Sequence, residues 1–144
     1  RVVLNPAPAQ PLPEALLRRV DVLTPNQTEL ATLTDQPIDS AEAIQMAARS
    51  LLDLGPETII VTLGAAGALV VSRDTCIEVN APSVTPIDTT GAGDTFNGAL
   101  LVALTEGRTL VEAVRFANHA AALSVTRRGA IDSIPSRVEV DGFL

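Results

Sequence analysis

Asp88-Thr89-Thr90-Gly91-Ala92-Gly93-Asp94-Thr95-Phe96-Asn97-Gly98 is the stretch whose interpretation decides what kind of fold this chain adopts. Two glycines and an alanine stand immediately before an apolar segment with helical spacing, predicted as a helix from Gly91 to about Glu106. Unpaired N–H groups at a helix start, joined to the positive end of the helix dipole, form an anion site. Gly91 and Gly93 carry no Cβ, so a phosphoryl group can approach the backbone closely. The segment is not a P-loop, because the Gly-Lys-Ser/Thr ending is missing, and not GxGxxG, because Phe96 stands where the last glycine belongs. Asp94 puts a carboxylate at the end of this anion loop. Two readings of it stand open from the spacing: a complement to the helix N-terminus, or a general base that takes a proton from an attacking hydroxyl. Asp88 is equally open, as a loop cap or a functional group.

Outward from this loop, strand and helix signals alternate. Val2-Val3-Leu4 reads as a short buried strand ended by the proline-rich loop 5–13, and Glu14 to Val20 as a short helix after Pro13. Val22-Leu23 reads as a second strand, and Asn26 to Leu33 as a helix with an asparagine cap. Ser40 caps a longer helix to Leu54, with Ile44, Ala47, Ala48, Leu51 and Leu52 on one face and Gly55-Pro56 as its stop. Thr58 to Leu63 is β-branched and apolar enough for a strand buried on both faces. After the turn Gly64-Ala65-Ala66-Gly67, segments 68–72 and 76–79 predict an antiparallel excursion. A second long helix is predicted from Leu110 to about Thr126, and a last one from Ser136 to Leu144. This rhythm argues for a layered α/β sheet, mostly parallel, with ligands outside the carboxyl ends of its strands.

Composition narrows the function classes. The chain has 144 residues, 47% hydrophobic and 19% charged, which suits one globular domain. Its net charge of −7 is unfavourable for general nucleic-acid binding. The single cysteine, Cys76, excludes an internal disulfide and a cysteine-based zinc site, and reads as a small apolar strand residue. The lone His119 reads as structural. No apolar run reaches the roughly 18 residues that span a bilayer, so no membrane role is expected and the compartment expected is the reducing cytoplasm. The start at Arg1-Val2-Val3-Leu4, apolar from the outset and without a methionine, is expected to be entry into the middle of a longer protein.

The segment Asp88–Phe96 resembles the signature of the ribokinase-like sugar kinases, the PfkB family. So, in the family's order, do Leu4-Asn5-Pro6-Ala7-Pro8-Ala9, Thr24-Pro25-Asn26-Gln27-Thr28-Glu29, Val61-Thr62-Leu63-Gly64 and Val125-Thr126-Arg127-Arg128-Gly129-Ala130. The resemblance implies a three-layer α-β-α fold with a mostly parallel sheet, in which residues 1–144 are the C-terminal nucleotide-binding and catalytic part. The sugar-binding half and the lid would lie outside this chain. It implies ATP-dependent phosphoryl transfer to a sugar hydroxyl, D-ribose to D-ribose 5-phosphate first among the choices. By the same resemblance Asp94 is the base and Gly91, Ala92 and Gly93 the anion hole. Thr62, Leu63, Gly64, Ala65, Ala66 and Gly67 would line the nucleotide pocket, a segment that a plain hairpin turn also explains. Asn118 matches a position touching adenosine, whereas His119 points about 100° away on the same helix.

Asn26 and Glu29 have the spacing of a capping box, and the resemblance adds a role for them in holding nucleotide, Mg²⁺ and phosphate, the metal through water. It further implies a potassium site on Asp88, Thr90, Ser124, Arg127, Gly129 and Ser133, mostly through backbone carbonyls. The partners expected are a small sugar and ATP, with the full-length protein a homodimer. The isolated chain is expected to be inactive, since water exclusion needs the lid, and its cut sheet edge to favour self-association. A sister kinase for fructose, another sugar or a nucleoside is the first alternative. A truncated protein that binds nucleotide or a partner without catalysis is the second.

Overall fold

The computed structural model describes all of residues 1–144, which divide into two compact units: 1–63 with 68–78, and 64–67 with 79–144. The first unit carries β1 (Val3–Leu4), α1 (Glu14–Leu17), β2 (Val22–Leu23), α2 (Gln27–Thr34), α3 (Ala41–Leu52), β3 (Thr58–Thr62) and β4 (Ala68–Val71), followed by β5 (Cys76–Val79). The sheet runs in the order β1-β2-β3-β4-β5. β1 pairs with β2 and β2 with β3 in parallel, with Val22 opposite Thr58 and Leu23 opposite Ile59. β3 and β4 are antiparallel, Thr62 opposite Ala68, so the expected excursion is present.

Alternation and helical spacing both serve one core. The α3 face Ile44, Ala47, Ala48, Leu51 and Leu52 packs in a cluster with Leu17, Leu23, Leu30, Ile59, Val61, Leu69 and Val71. Complete burial of a side chain such as Ile59 contributes about 1.5–3 kcal/mol. Ser40 caps α3 by accepting from Ala43 N. Gly55, at φ 141°, ends the segment where a Cβ would lie 2.5 Å from Arg18 Cα, so only glycine lets the two backbones meet. Three helices are shorter than expected. α1 stops at Leu17 because Arg19 and Val20 donate to Leu16 and Leu17, a tight i to i+3 finish. α3 stops at Leu52, where Leu54 and Gly55 donate to Leu51 and Leu52 in the same way.

The second unit is built on the helical hairpin α4 (Ala92–Thr105) and α5 (Leu110–Ser124), followed by α6 (Arg137–Asp141). Phe96, Leu100, Ala103, Ala113, Val114, Phe116, Ala117 and Ala120 are buried along the hairpin. Thr109 and Glu112 form a reciprocal capping box that fixes the start of α5. α6 is shorter than the predicted 136–144, because Phe143 donates to Val140 and tightens the turn around Gly142. Residues Gly64–Ala66 form one turn of 3₁₀ helix, and Gly67 lies so close to residues 79–81 that a Cβ would come within 2.2 Å of the Val79 carbonyl. No helix is long and apolar enough to cross a membrane.

Cys76 is a strand residue, as expected. It lies in β5, where three of the four residues, Cys76 among them, are exposed. Partial desolvation pushes its pKa up, outweighing the lowering effect of Arg49, so the thiol is protonated at neutral pH.

Candidate functional site

Within the second unit, the chain enters α4 through Gly91, whose φ of 77° and ψ of 3° place it in the left-handed region. A side chain there would be strained, and its Cβ would stand 3.3 Å from Ala130. No side chain caps α4. Ala92 N donates to Thr89 and Thr95 N to Gly91, while the N–H groups of Gly93 and Asp94 receive no acceptor from the chain. An uncapped helix start of this kind leaves donors and dipole directed at whatever anion approaches. The space over Gly93 is open: a Cβ there would have no heavy atom within 4 Å. Asp94 is exposed in the first turn, and the hydroxyl of Thr95 behind it is buried with no hydrogen-bond partner.

A second loop abuts the first. Ile87 N and Asp88 N both donate to the Val125 carbonyl just past α5. The Asp88 carboxylate accepts from Gly129 N at 3.0 Å and from Thr90 N at 2.9 Å, stapling the two loops together. Those bonds, the Gly129 N–H foremost, hold its pKa down at about 2, with a smaller contribution from Arg128. Of the six residues expected around a monovalent cation, Ser124 and Ser133 are buried and their hydroxyls donate to Ala121 and Ala130. The Ser124 carbonyl accepts from Arg127 N. The carbonyls of Asp88, Thr90, Arg127, Gly129 and Ser133 receive no hydrogen bond from the chain. A carboxylate ionised at neutral pH and five carbonyls without a hydrogen bond, on two loops stapled together, are a donor set suited to a weakly hydrated cation.

Asn118 is buried, and its amide donates to the Val79 carbonyl at 2.7 Å and the Asn80 carbonyl at 3.5 Å. That bond fixes the stretch against which Gly67 packs, so Asn118 supports the turn Gly64-Ala65-Ala66-Gly67 from behind. His119 Nδ1 donates to the Arg115 carbonyl at 2.8 Å, and the ring meets that of Phe143 edge-on at 5.6 Å, a packing role.

In the first unit, the expected capping box is present: Asn26 Oδ1 accepts from Glu29 N and Glu29 Oε2 accepts from Asn26 N, both at 2.8 Å. Glu29 Oε1 stands outside the box, and one carboxylate oxygen suits a magnesium ion that keeps most of its water. No group of three His, Cys, Asp or Glu side chains stands ready to hold a metal by itself. Thr62 N donates to the Pro25 carbonyl and Thr62 bridges Asn26, while Asn5 Nδ2 donates to the Thr24 carbonyl. Asn5, Thr24, Asn26 and Thr62 thus gather at the carboxyl ends of β1, β2 and β3, where ligands of such sheets bind. Leu63 packs against the core of this unit.

Two features had no short-range signal. The Thr95 hydroxyl is orphaned only because α4 is buried at that position. Arg127 pairs with Glu139, 12 residues further on, linking the second loop to α6.

The chain is similar throughout its length to known sugar kinases. It is 46% identical to a ribokinase from Haemophilus influenzae, covering 100% of this chain and 47% of that protein. It is 41% identical to a deoxyribokinase from Salmonella typhi, covering 99% of this chain and 47% of that one. The structure of Arabidopsis thaliana ribokinase complexed with ribose and ATP superposes with a TM-score of 0.94 at 39% identity, over 99% of this chain and 46% of that one. The layered α/β fold expected from the sequence is therefore the ribokinase fold. This chain spans about half the length of the relatives it matches, their C-terminal part. The sequence pattern of the pfkB family carbohydrate kinases matches residues 1–137, and the chain belongs to that family.

Proposed function

We propose that this chain is the nucleotide-binding and catalytic part of an ATP-dependent sugar kinase whose acceptor is D-ribose. The carrying observation is the uncapped start of α4, where two free N–H groups, open space over Gly93 and the exposed Asp94 carboxylate occur together. Asp94 takes the proton as the sugar oxygen bonds to the γ-phosphorus and the bond from that phosphorus to ADP breaks. In the Gly91–Ala92–Gly93 anion hole the free N–H of Gly93, with that of Asp94 beside it, stabilises charge on the transferring phosphoryl oxygens without reorganising, while the Ala92 N–H holds the loop through Thr89. Gly64–Gly67, with Thr62 and Leu63 before it, serves the nucleotide, and Asn118 acts by holding residues 79–80 behind Gly67. Asn26 and Glu29 hold the nucleotide phosphates and hydrated magnesium, the metal neutralising phosphate charge. The Asp88–Gly129 loop pair holds potassium next to the anion hole.

Ribose is favoured over deoxyribose, fructose or a nucleoside by the ribokinase relatives and the ribose-bound neighbour. The relatives are about twice as long, so we assign sugar selection, water exclusion and dimer formation to a further half. On this reading the 144 residues alone bind MgATP and turn over little sugar. Calorimetric titration of the chain with MgATP, followed by ADP release from a panel of sugars in the full-length protein, tests it. Failure to bind MgATP, or a preference for a sugar other than ribose, would refute the corresponding part.

A further inference from the structure

We propose that Glu139 and Arg127 are positioning residues for the cation loop, so that the C-terminal helix α6 sets that loop's affinity for a monovalent cation through a single carboxylate. The inference rests on the reading of residues 88–133 as a potassium site. Glu139 divides its two oxygens between two tasks. Oε2 accepts from Ser136 N at 2.7 Å and Ser136 Oγ at 2.8 Å, closing the start of α6. Oε1 accepts from the Arg127 guanidinium at 2.5 Å, and this bond is the leading cause of a Glu139 pKa held at about 2.

α6 is itself a fixed post. Val140 is buried, Arg137 pairs with Glu106 and Asp141, and the Arg137 guanidinium lies 5.2 Å from the centre of the Phe116 ring on α5. The loop after α5 is consequently held at four points. Val125 accepts from Ile87 and Asp88, Arg127 N donates to the Ser124 carbonyl, Gly129 N donates to Asp88, and the Arg127 side chain between them is tied to Glu139. Two of the unpaired carbonyls, those of Arg127 and Gly129, flank the last of these ties. Without it the Arg127 carbonyl can turn away from the other donors while its own N–H still bonds Ser124 and Asp88 still holds Gly129.

Glu139→Gln separates the two tasks, because glutamine at this position still closes a capping box but no longer offers a charge to Arg127. The readout is thermal unfolding of the 144-residue chain against potassium, with ionic strength held constant by tetramethylammonium. We expect Glu139→Gln to raise the half-saturating potassium concentration roughly two- to fivefold, the scale of one exposed ion pair. The unfolding midpoint without potassium should move little. Arg127→Met should reproduce the shift and Arg127→Lys should recover part of it. An unchanged half-saturation, with midpoints lowered equally in both salts, would make the pair merely structural and overturn the inference. A wild-type chain with no potassium response would overturn the cation reading itself, and this inference with it.

Discussion

Replacing Gly93 by alanine adds one methyl group at a position where the chain offers it no neighbour, since a Cβ built there has no heavy atom within 4 Å. Gly93 is the second residue of α4 and, unlike Gly91, does not have a positive φ. Helix propensity alone therefore favours alanine, by about 0.5 kcal/mol this near the helix end. In a chain of this size that corresponds to a midpoint roughly 2 °C higher. The same methyl stands over the donors assigned to the phosphoryl group. Displacing one such donor costs about 10²- to 10³-fold in turnover. Stability and function should thus move in opposite directions. The assay pairs urea unfolding of the chain with ADP release from MgATP and ribose by the full-length protein. Gly91→Ala is the contrast: φ 77° and contact with Ala130 make it destabilising by about 1–2 kcal/mol as well as inactivating. If Gly93→Ala is stable and fully active, no anion binds at the start of α4 and the proposed mechanism fails.

Further expectations concern the supports of the site. Gly67→Ala drives a methyl to 2.2 Å from the Val79 carbonyl at φ 98° and should destabilise the chain by about 2–4 kcal/mol in urea unfolding; a loss under 1 kcal/mol would contradict the packing. Asp35, the αL cap of α2 at φ 52°, should give about 0.5–1 kcal/mol of extra stability on replacement by glycine, and a loss would show that its side chain matters. Thr95→Val should be neutral or stabilising by up to about 1 kcal/mol, since it removes a buried hydroxyl without a partner. Asp88 has its pKa lowered from 3.8 to about 2, so its carboxylate stabilises the fold fully above about pH 4 and loses that effect as pH falls towards 2. The stability gap between wild type and Asp88→Asn should be flat from pH 7 to 5 and close below 4; a gap that widens there would reverse the assignment.

Local chemistry explains how much of this was legible in the sequence. Asn26–Glu29 and Ser40 act on their own helix starts, so short spacings sufficed to place both caps. Gly91 and Gly93 could be placed at the start of α4 for the same reason, one turn of backbone being enough to mark a glycine entry to a helix. Helix ends were harder: α1, α3 and α6 each finish in i to i+3 bonds that residue type does not dictate. Long-range ties had no signal in residue chemistry. Asp88 reaches Gly129 across 41 residues, a proximity that only the family resemblance implied, and Asn118 reaches Val79 across 39, each partner contributing only its backbone. Cys76 was placed in its strand, but a strand position gives no information about which residues are covered, so its exposure was not legible.

The central claim is that Asp94 moves the sugar proton, and it is tested most directly by ribose-dependent ADP release from MgATP in the full-length protein, wild type beside Asp94→Asn. Turnover should fall by about 10²- to 10⁴-fold in the variant, with MgATP affinity, measured by calorimetry, unchanged within about twofold. Equal turnover in the two proteins, or a wild-type protein that releases no ADP in response to any sugar, would contradict the account.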